Sequence, residues 1–376
     1  MVKRIFFFFA LIIFVLVFSN ITYRFFGNPE ENNTERKDII ITGRMSISEY
    51  GRVNRIPLEA LLNIFNLKQV SDTVQFISSS AYSIKEMQKR TLVFVSEFNE
   101  EHSKNPLRYT IHFILGMLFM SALFYFLRKS QITPGIRRYL YLFSILVFGL
   151  GFNSSPSPMG PLKDTISLVD NLPEIIHPRL FAILTYLIIG IIANKFICSW
   201  VCQLGVLQDF LFRLNRNKKD NKALVRQFKI PFAVSNSIRI VFFFATVVSS
   251  YILAVNIIDS VNPFAVFSGL TLKAGGWFFI GSILVISILV YRPWCSLFCP
   301  FGLLSWICEN LSIYKIRVNQ KTCTSCNACV SACPSDAMSA ILAKKKVKPD
   351  CFSCGSCISE CPENSVTYSR FQVNSP

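Results

Sequence analysis

Two cysteine runs dominate the chemistry open to this chain: CTSCNACVSACP at 323–334 and CFSCGSCISECP at 351–362. Both fit C-x2-C-x2-C-x3-C-P, the bacterial two-cluster ferredoxin pattern. Three closely spaced thiolates on a tight loop can reach three irons of one cubane, and the fourth, displaced beyond the loop, serves the other cluster. The spacing therefore assigns Cys323, Cys326, Cys329 and Cys361 to one [4Fe–4S] cluster and Cys351, Cys354, Cys357 and Cys333 to a second. A pair of zinc knuckles is the competing reading. Zinc sites seldom use four cysteines at this spacing before a proline, and seldom twice in tandem.

Four further cysteines come in two pairs. CSWVCQLGVLQDF begins at Cys198 and CSLFCPFGLLSWI at Cys295, each directly after an apolar stretch. Within a helix a CxxxC pair lies on one face about a turn apart. Cys198/Cys202 and Cys295/Cys299 then form two dithiol clips, and converging clips would make a candidate third site for an Fe–S cluster. A redox-active dithiol and buried, unligated thiols stay open as alternatives. Cys308 has no partner at such spacing and reads as a small buried hydrophobe.

These residues need a scaffold, and composition indicates which kind. With 52% hydrophobic residues and 36 Phe among 376, the chain holds more apolar material than one soluble core requires. Apolar stretches at 5–21, 111–127, 139–152, 180–197, 238–258 and 276–291 approach the length needed to cross a bilayer. The expected fold is a polytopic α-helical membrane protein with about six transmembrane helices and a parallel internal repeat, ending in an α+β two-cluster ferredoxin-like domain. Its expected divisions are a membrane anchor at 1–23, a small extracytoplasmic helical module at 24–106, a membrane domain at 107–312 with both CxxxC turns, and a cytoplasmic ferredoxin-like domain at 313–376. All thirteen cysteines follow residue 197 at metal-ligand spacings, which points to a reducing compartment rather than a disulfide framework.

Charge sets the expected orientation. The 195–239 connection carries nine Lys/Arg against two acidic residues, and 128–138 carries Arg128, Lys129, Arg137 and Arg138. By the positive-inside rule both belong in the cytoplasm, together with both termini. The same rule accounts for the formal charge of +17 without invoking nucleic acid, which is not expected as a partner. In the 24–106 segment, Ser46 and Glu49 have capping-box spacing at the head of a short helix.

Six apolar spans, two CxxxC turns and a terminal two-cluster domain together resemble the NapH family, ferredoxin-type membrane subunits of quinol dehydrogenases. They are also similar to the C-terminal membrane part of NosR and to CcoG. The resemblance covers roughly 108–365 and departs at Gln203, where the family usually has Pro after the second cysteine of the first turn. It implies electron transfer between membrane quinone and a partner redox enzyme through [4Fe–4S] clusters, in a possible quinol dehydrogenase subunit of the cytoplasmic membrane. The alternative it permits is a redox-sensing regulator or metalloenzyme-assembly accessory. No quinone-binding motif and no catalytic acid–base pair can be picked out from the residues.

Overall fold

The computed structural model describes residues 106–151, 158–168, 173–217, 220, 222–252, 258, 262–268 and 274–371, and from the N-terminal region 41, 45–54, 56, 61, 65 and 91. The expected anchor at 1–23 and most of the 24–106 module lie outside the described residues. In that region α1 (Ile47–Val53) starts where its capping residue dictates: Ser46 Oγ accepts the Glu49 N–H at 3.2 Å. Tyr50 is buried on this helix, and its hydroxyl donates to Thr91 at 2.7 Å.

The chain divides into two compact units, with a boundary within α2 (Pro106–Arg128) between Phe113 and Ile114. In the larger unit α3 (Pro134–Ser144) opens on Thr133, whose hydroxyl accepts the Ile136 N–H, with Pro134 preorganised for the first turn. It runs on as a π-helical segment, Ile145–Gly151. Gly149 is needed there, because a Cβ would lie 2.8 Å from the Phe267 ring. Next come α4 (Met159–Leu168) and the apolar α5 (Pro173–Ala193), then the short α6 (Phe196–Trp200) and α7 (Gln203–Leu214).

After α8 (Phe232–Ile252) and the short α9 (Ala265–Ser268), the sequence repeat becomes a structural one. The apolar α10 (Ala274–Ile286), short α11 (Pro293–Leu297) and α12 (Pro300–Asn310) follow the same order as α5, α6 and α7. The terminal domain is framed by β1 (Lys315–Val318) and β2 (Val366–Ser369), antiparallel with Lys315 opposite Ser369 and Val318 opposite Val366. Between them lie α13 (Ala328–Ala332), α14 (Ala337–Leu342) and α15 (Ser356–Ser359). The antiparallel strand pair brings the end of the second cysteine run back to the start of the first.

Among the described residues one helical stretch, Phe232–Ser250, is both long and apolar enough to cross a bilayer, while Ile114–Arg128, Leu180–Ala193 and Gly275–Ile286 are shorter apolar helices. Their outer faces stay apolar: Phe181 is 73% exposed, Phe244 60% and Phe278 79%. Inward, Trp200, Trp294, Phe196 and Phe301 are buried around the cysteine turns.

Candidate metal centres

The two CxxxC turns do not run along single helices as their spacing suggests. α6 ends at Trp200, and Cys202 (φ −65°, ψ 109°) is the extended N-cap of α7. In the second repeat Cys295 lies in α11 and Cys299 (φ −73°, ψ 114°) is the N-cap of α12. Gln203 and Pro300 both occupy the first helical position after their cysteine. The matching dihedrals show that Gln203 leaves the turn intact: Pro there starts the next helix rather than ending the previous one.

A glycine three residues after each N-cap cysteine lets the new helix fold tightly back on its own turn. A Cβ on Gly205 would meet the Cys198 carbonyl oxygen at 2.5 Å, and one on Gly302 would meet that of Cys295 at 2.7 Å. Gly302 donates its N–H to Cys299 Sγ at 3.3 Å. Each turn is also held by the cation standing three residues before the first cysteine of the other repeat. Arg292 donates to the carbonyls of Cys198 and Ser199, and Lys195 donates to the Gly302 carbonyl at 3.1 Å. Asp209 neutralises Arg292 at 2.6 Å, and Asp350 pairs with both Lys195 and Arg239.

This exchange brings Cys198, Cys202, Cys295 and Cys299 around one small cavity, closed by Met159, Phe264, Trp294, Phe301 and Phe352. Burial, with neighbouring thiols adding to it, pushes Cys202 and Cys299 up to about 12. Cys308 lies apart, its Cβ 3.6 Å from where a Cβ on Gly190 would stand, as expected of a packing residue.

In the terminal domain the two cysteine loops share one backbone solution. Ser325 (φ 57°) and Asn327 (φ 59°) are left-handed in the first, and Ser353 (φ 47°) and Gly355 (φ 77°) at the same offsets in the second. Left-handed residues alternating with right-handed ones turn successive N–H groups into a concave nest, an arrangement suited to an anionic cluster. Cys323, Cys326, Cys329 and Cys361 line one cavity. Cys361 is held there by Ser365, whose N–H donates to its Sγ at 3.3 Å and whose neighbour contact is the Thr322 hydroxyl at 2.8 Å. Cys333, Cys351, Cys354 and Cys357 form the second group, each within electrostatic reach of the others.

The second group faces the helical part of the unit. Asn194 donates to the Cys351 carbonyl at 3.1 Å, Trp200 Nε1 to that of Ser353 at 3.3 Å, and Tyr368 OH to that of Ala193 at 2.8 Å. Phe352, next to Cys351, walls the four-thiol cavity and lies 4.6 Å beneath the Arg292 guanidinium. Glu309 accepts the Cys351 N–H at 2.9 Å, and burial pushes its carboxyl up to about 8 against the pull of Lys195. At Cys354 burial opposes ionisation, but Arg213 and Arg137 outweigh it and the thiol pKa falls. The first group reaches the surface, with Cys326 exposed.

Among the described residues no three His, Cys, Asp or Glu side chains crowd closely enough for a single metal ion. A cluster asks for wider spacing, since each of its irons takes its own thiolate. Sets of four soft thiols, two of them on nest loops, fit that demand. Sequence spacing supplied all twelve of these cysteines but missed the buried ion network of Arg137, Lys195, Asp209, Arg213, Asp220, Arg239, Arg292 and Asp350. Its one visible signal was Lys195 and Arg292 at equivalent positions in the repeat.

Comparison with known proteins agrees with this geometry. Residues 315–363 match the family model for a 4Fe-4S dicluster domain, and 177–222 and 274–308 match that for a 4Fe-4S binding domain. The second model thus falls on the two repeats that carry the CxxxC turns. Relatives include YccM of Escherichia coli, named for an assumed role in electron transport, 22% identical over 44% of this chain and 48% of its own length. The methylamine utilization ferredoxin-type protein MauN of Paracoccus denitrificans is 27% identical over 40% and 51%, and the ferredoxin-type protein NapH of Haemophilus influenzae 26% over 46% and 61%. The chain spans about half the length of the first of these relatives. No solved structure matches. Fold and cysteine sites together define a ferredoxin-type protein with 4Fe-4S binding domains. Within that class the chain is similar to the ferredoxin-type proteins NapH and MauN.

Proposed function

We propose that this protein is a membrane-embedded conduit that moves electrons singly between the quinone pool and a partner redox protein. The observation that carries the reading is the convergence of four thiols, from turns almost a hundred residues apart in sequence, on a cavity whose wall adjoins Cys351. In this reading Cys198, Cys202, Cys295 and Cys299 hold a third cluster at the membrane face. Cys333, Cys351, Cys354 and Cys357 hold the next, and Cys323, Cys326, Cys329 and Cys361 the outermost. Each cluster, when bound, takes up and releases one electron, so a two-electron quinol empties in two steps and gives up two protons.

The protein's own residues serve this role by holding positions. Lys195 and Arg292 fix the two turns against each other, and Asn194, Trp200 and Tyr368 hold the terminal domain on the helices. The exposed Cys326 marks the exit toward the partner, and Lys344, Lys345 and Lys346 on the connector between the cysteine runs favour an acidic one. Exposed apolar faces on α2, α5, α8 and α10 support the lipid-facing part of the proposal, as do the shorter apolar helices beside the one long enough to span. With the terminal domain in the cytoplasm, the 24–106 segment lies outside.

The test is anaerobic addition of a reduced quinol to the purified protein in liposomes, followed through the visible iron–sulfur absorbance. Bleaching at one quinol per two reducing equivalents is expected, lost when Cys198 and Cys295 are replaced by Ala. Full loading with no bleaching by any quinol would remove the quinone link.

A further inference from the structure

We propose that the buried guanidiniums of Arg137, Arg213 and Arg216 hold the inner terminal cluster, on Cys333, Cys351, Cys354 and Cys357, at a higher potential than the outer one on Cys323, Cys326, Cys329 and Cys361. An electron shared by the two then rests on the inner site. This builds on the reading that both cysteine groups carry clusters.

Arg137, from α3, meets Arg213 and Arg216, from the end of α7 and just beyond it, at one side of the inner site. Arg137 is 0% exposed, Arg213 3% and Arg216 5%. Arg137 Nη1 and Arg213 Nη1 both donate to Ser356 Oγ, at 2.9 and 3.1 Å, and that oxygen lies 3.4 Å from Cys354 Sγ. Arg216 donates to the carbonyls of Ala332 and Ser331, immediately before Cys333, at 3.1 and 3.4 Å. Among the described residues Asp220 is shared by Arg137 and Arg213, with Arg216 farther off, and Asp209 by Arg213 and Arg292, so the two carboxylates serve the three buried guanidiniums of Arg137, Arg213 and Arg292 and leave positive charge in excess.

Such an excess of buried positive charge is costly unless an anion completes it. Among the described residues Arg137 Nε and Nη2 and Arg213 Nη2 are buried without a hydrogen-bond partner. A cubane on four thiolates is a net anion and gains a further negative charge on reduction. Fixed cations in a low-dielectric surrounding therefore favour the reduced form and raise the potential. The outer site has the opposite setting. Its cavity is lined by no cation among the described residues and includes Glu363, and the exposed Cys326 opens it to screening water.

Potentiometric EPR titration of the full chain in detergent, with iron and sulfide analysis, tests the assignment. Loading is read from iron and sulfide whatever the potentials, so a missing cluster contradicts the cluster reading separately from the ordering. Cys326→Ser changes only the outer cluster's spectrum and tells the two signals apart. The inner cluster is expected to reduce first in the wild type. Arg137→Gln or Arg213→Gln should lower its midpoint by at least ~59 mV, a tenfold change in a one-electron equilibrium, and leave the outer midpoint in place. Arg137→Lys should restore most of the shift. The proposal is overturned if the outer cluster reduces first in the wild type, or if fully loaded Arg137→Gln and Arg213→Gln proteins keep the wild-type midpoints. Should the Gln variants fail to assemble, the wild-type order decides alone.

Discussion

Replacing Asp209 by Asn removes one charge and turns one hydrogen-bond-accepting oxygen into a donating NH2. The carboxylate is fully buried in α7 and takes four hydrogen bonds: from Tyr141 at 2.9 Å, Tyr291 at 3.0 Å, Arg292 at 2.6 Å and Arg213 at 2.7 Å. An amide of the same shape keeps contact with the hydroxyls but leaves two guanidiniums short of their counter-charge. Breaking a buried pair from one side costs about 3–5 kcal/mol. Arg292 retains the carbonyls of Cys198 and Ser199, so the lower end, about 3 kcal/mol, is expected. For a unit of this size that corresponds to a fall of roughly 5 °C in Tm. The assay is thermal unfolding in detergent followed by tryptophan fluorescence, since Trp200 and Trp294 are buried beside the cysteine turns. Asp336→Asn is the control: its pair with Lys229 spans 2.5 Å but the side chains are 46% and 48% exposed, so about 1 kcal/mol or less is at stake. Asp209 is held below the usual carboxylate range because Arg213 and Arg292 outweigh its burial. Its contribution is therefore present above the ordinary carboxylate pKa and fades as pH falls further, so wild type and variant should converge in acid. Equal melting of Asp209→Asn and Asp336→Asn at neutral pH would refute the reasoning.

Gly205→Ala and Gly302→Ala each force a Cβ against a backbone carbonyl that cannot move cheaply, and about 1–3 kcal/mol of destabilisation is expected for each. Iron should fall in these variants before the terminal domain's EPR signals change; unaltered iron and Tm would show that the turns are loose. Glu309, with its pKa raised from 4.5 to about 8, keeps its proton in the folded state through that window, so wild-type stability declines as pH rises across it. Glu309→Gln should remove the decline and gain on wild type from pH about 5 to about 8, by up to a few kcal/mol; parallel Tm curves would count against it.

How much was legible in the sequence depended on what each residue type reports. Thiol spacing in the terminal runs follows the two-cluster pattern, so the sequence predicts Cys361 with the first loop and Cys333 with the second, and the structure lines one cavity with Cys361 and the three cysteines of the first loop. The repeat was equally visible, in CSWVC and CSLFC. Helical continuity through CxxxC was misread, because nothing local shows that Cys202 and Cys299 are caps. The larger loss was among the charges. Lys195, Arg213, Arg216 and Arg239 counted as cytoplasmic loop cations, yet all four are buried and bonded within the protein. A loop arginine looks alike whether it marks topology or neutralises a buried carboxylate; only the fold separates Arg213, paired with Asp209, from the largely solvated Lys222.

The central claim is that the two CxxxC turns share one iron–sulfur site beside the terminal pair. Anaerobic iron and sulfide analysis with EPR on detergent-purified protein, comparing wild type with Cys198→Ala/Cys295→Ala, tests it most directly. Iron beyond the complement of two four-iron clusters is expected in the wild type, with that excess and one spectral component lost in the double variant. The same iron content and unchanged spectra in both proteins would contradict the claim and leave the four converging thiols without a cluster.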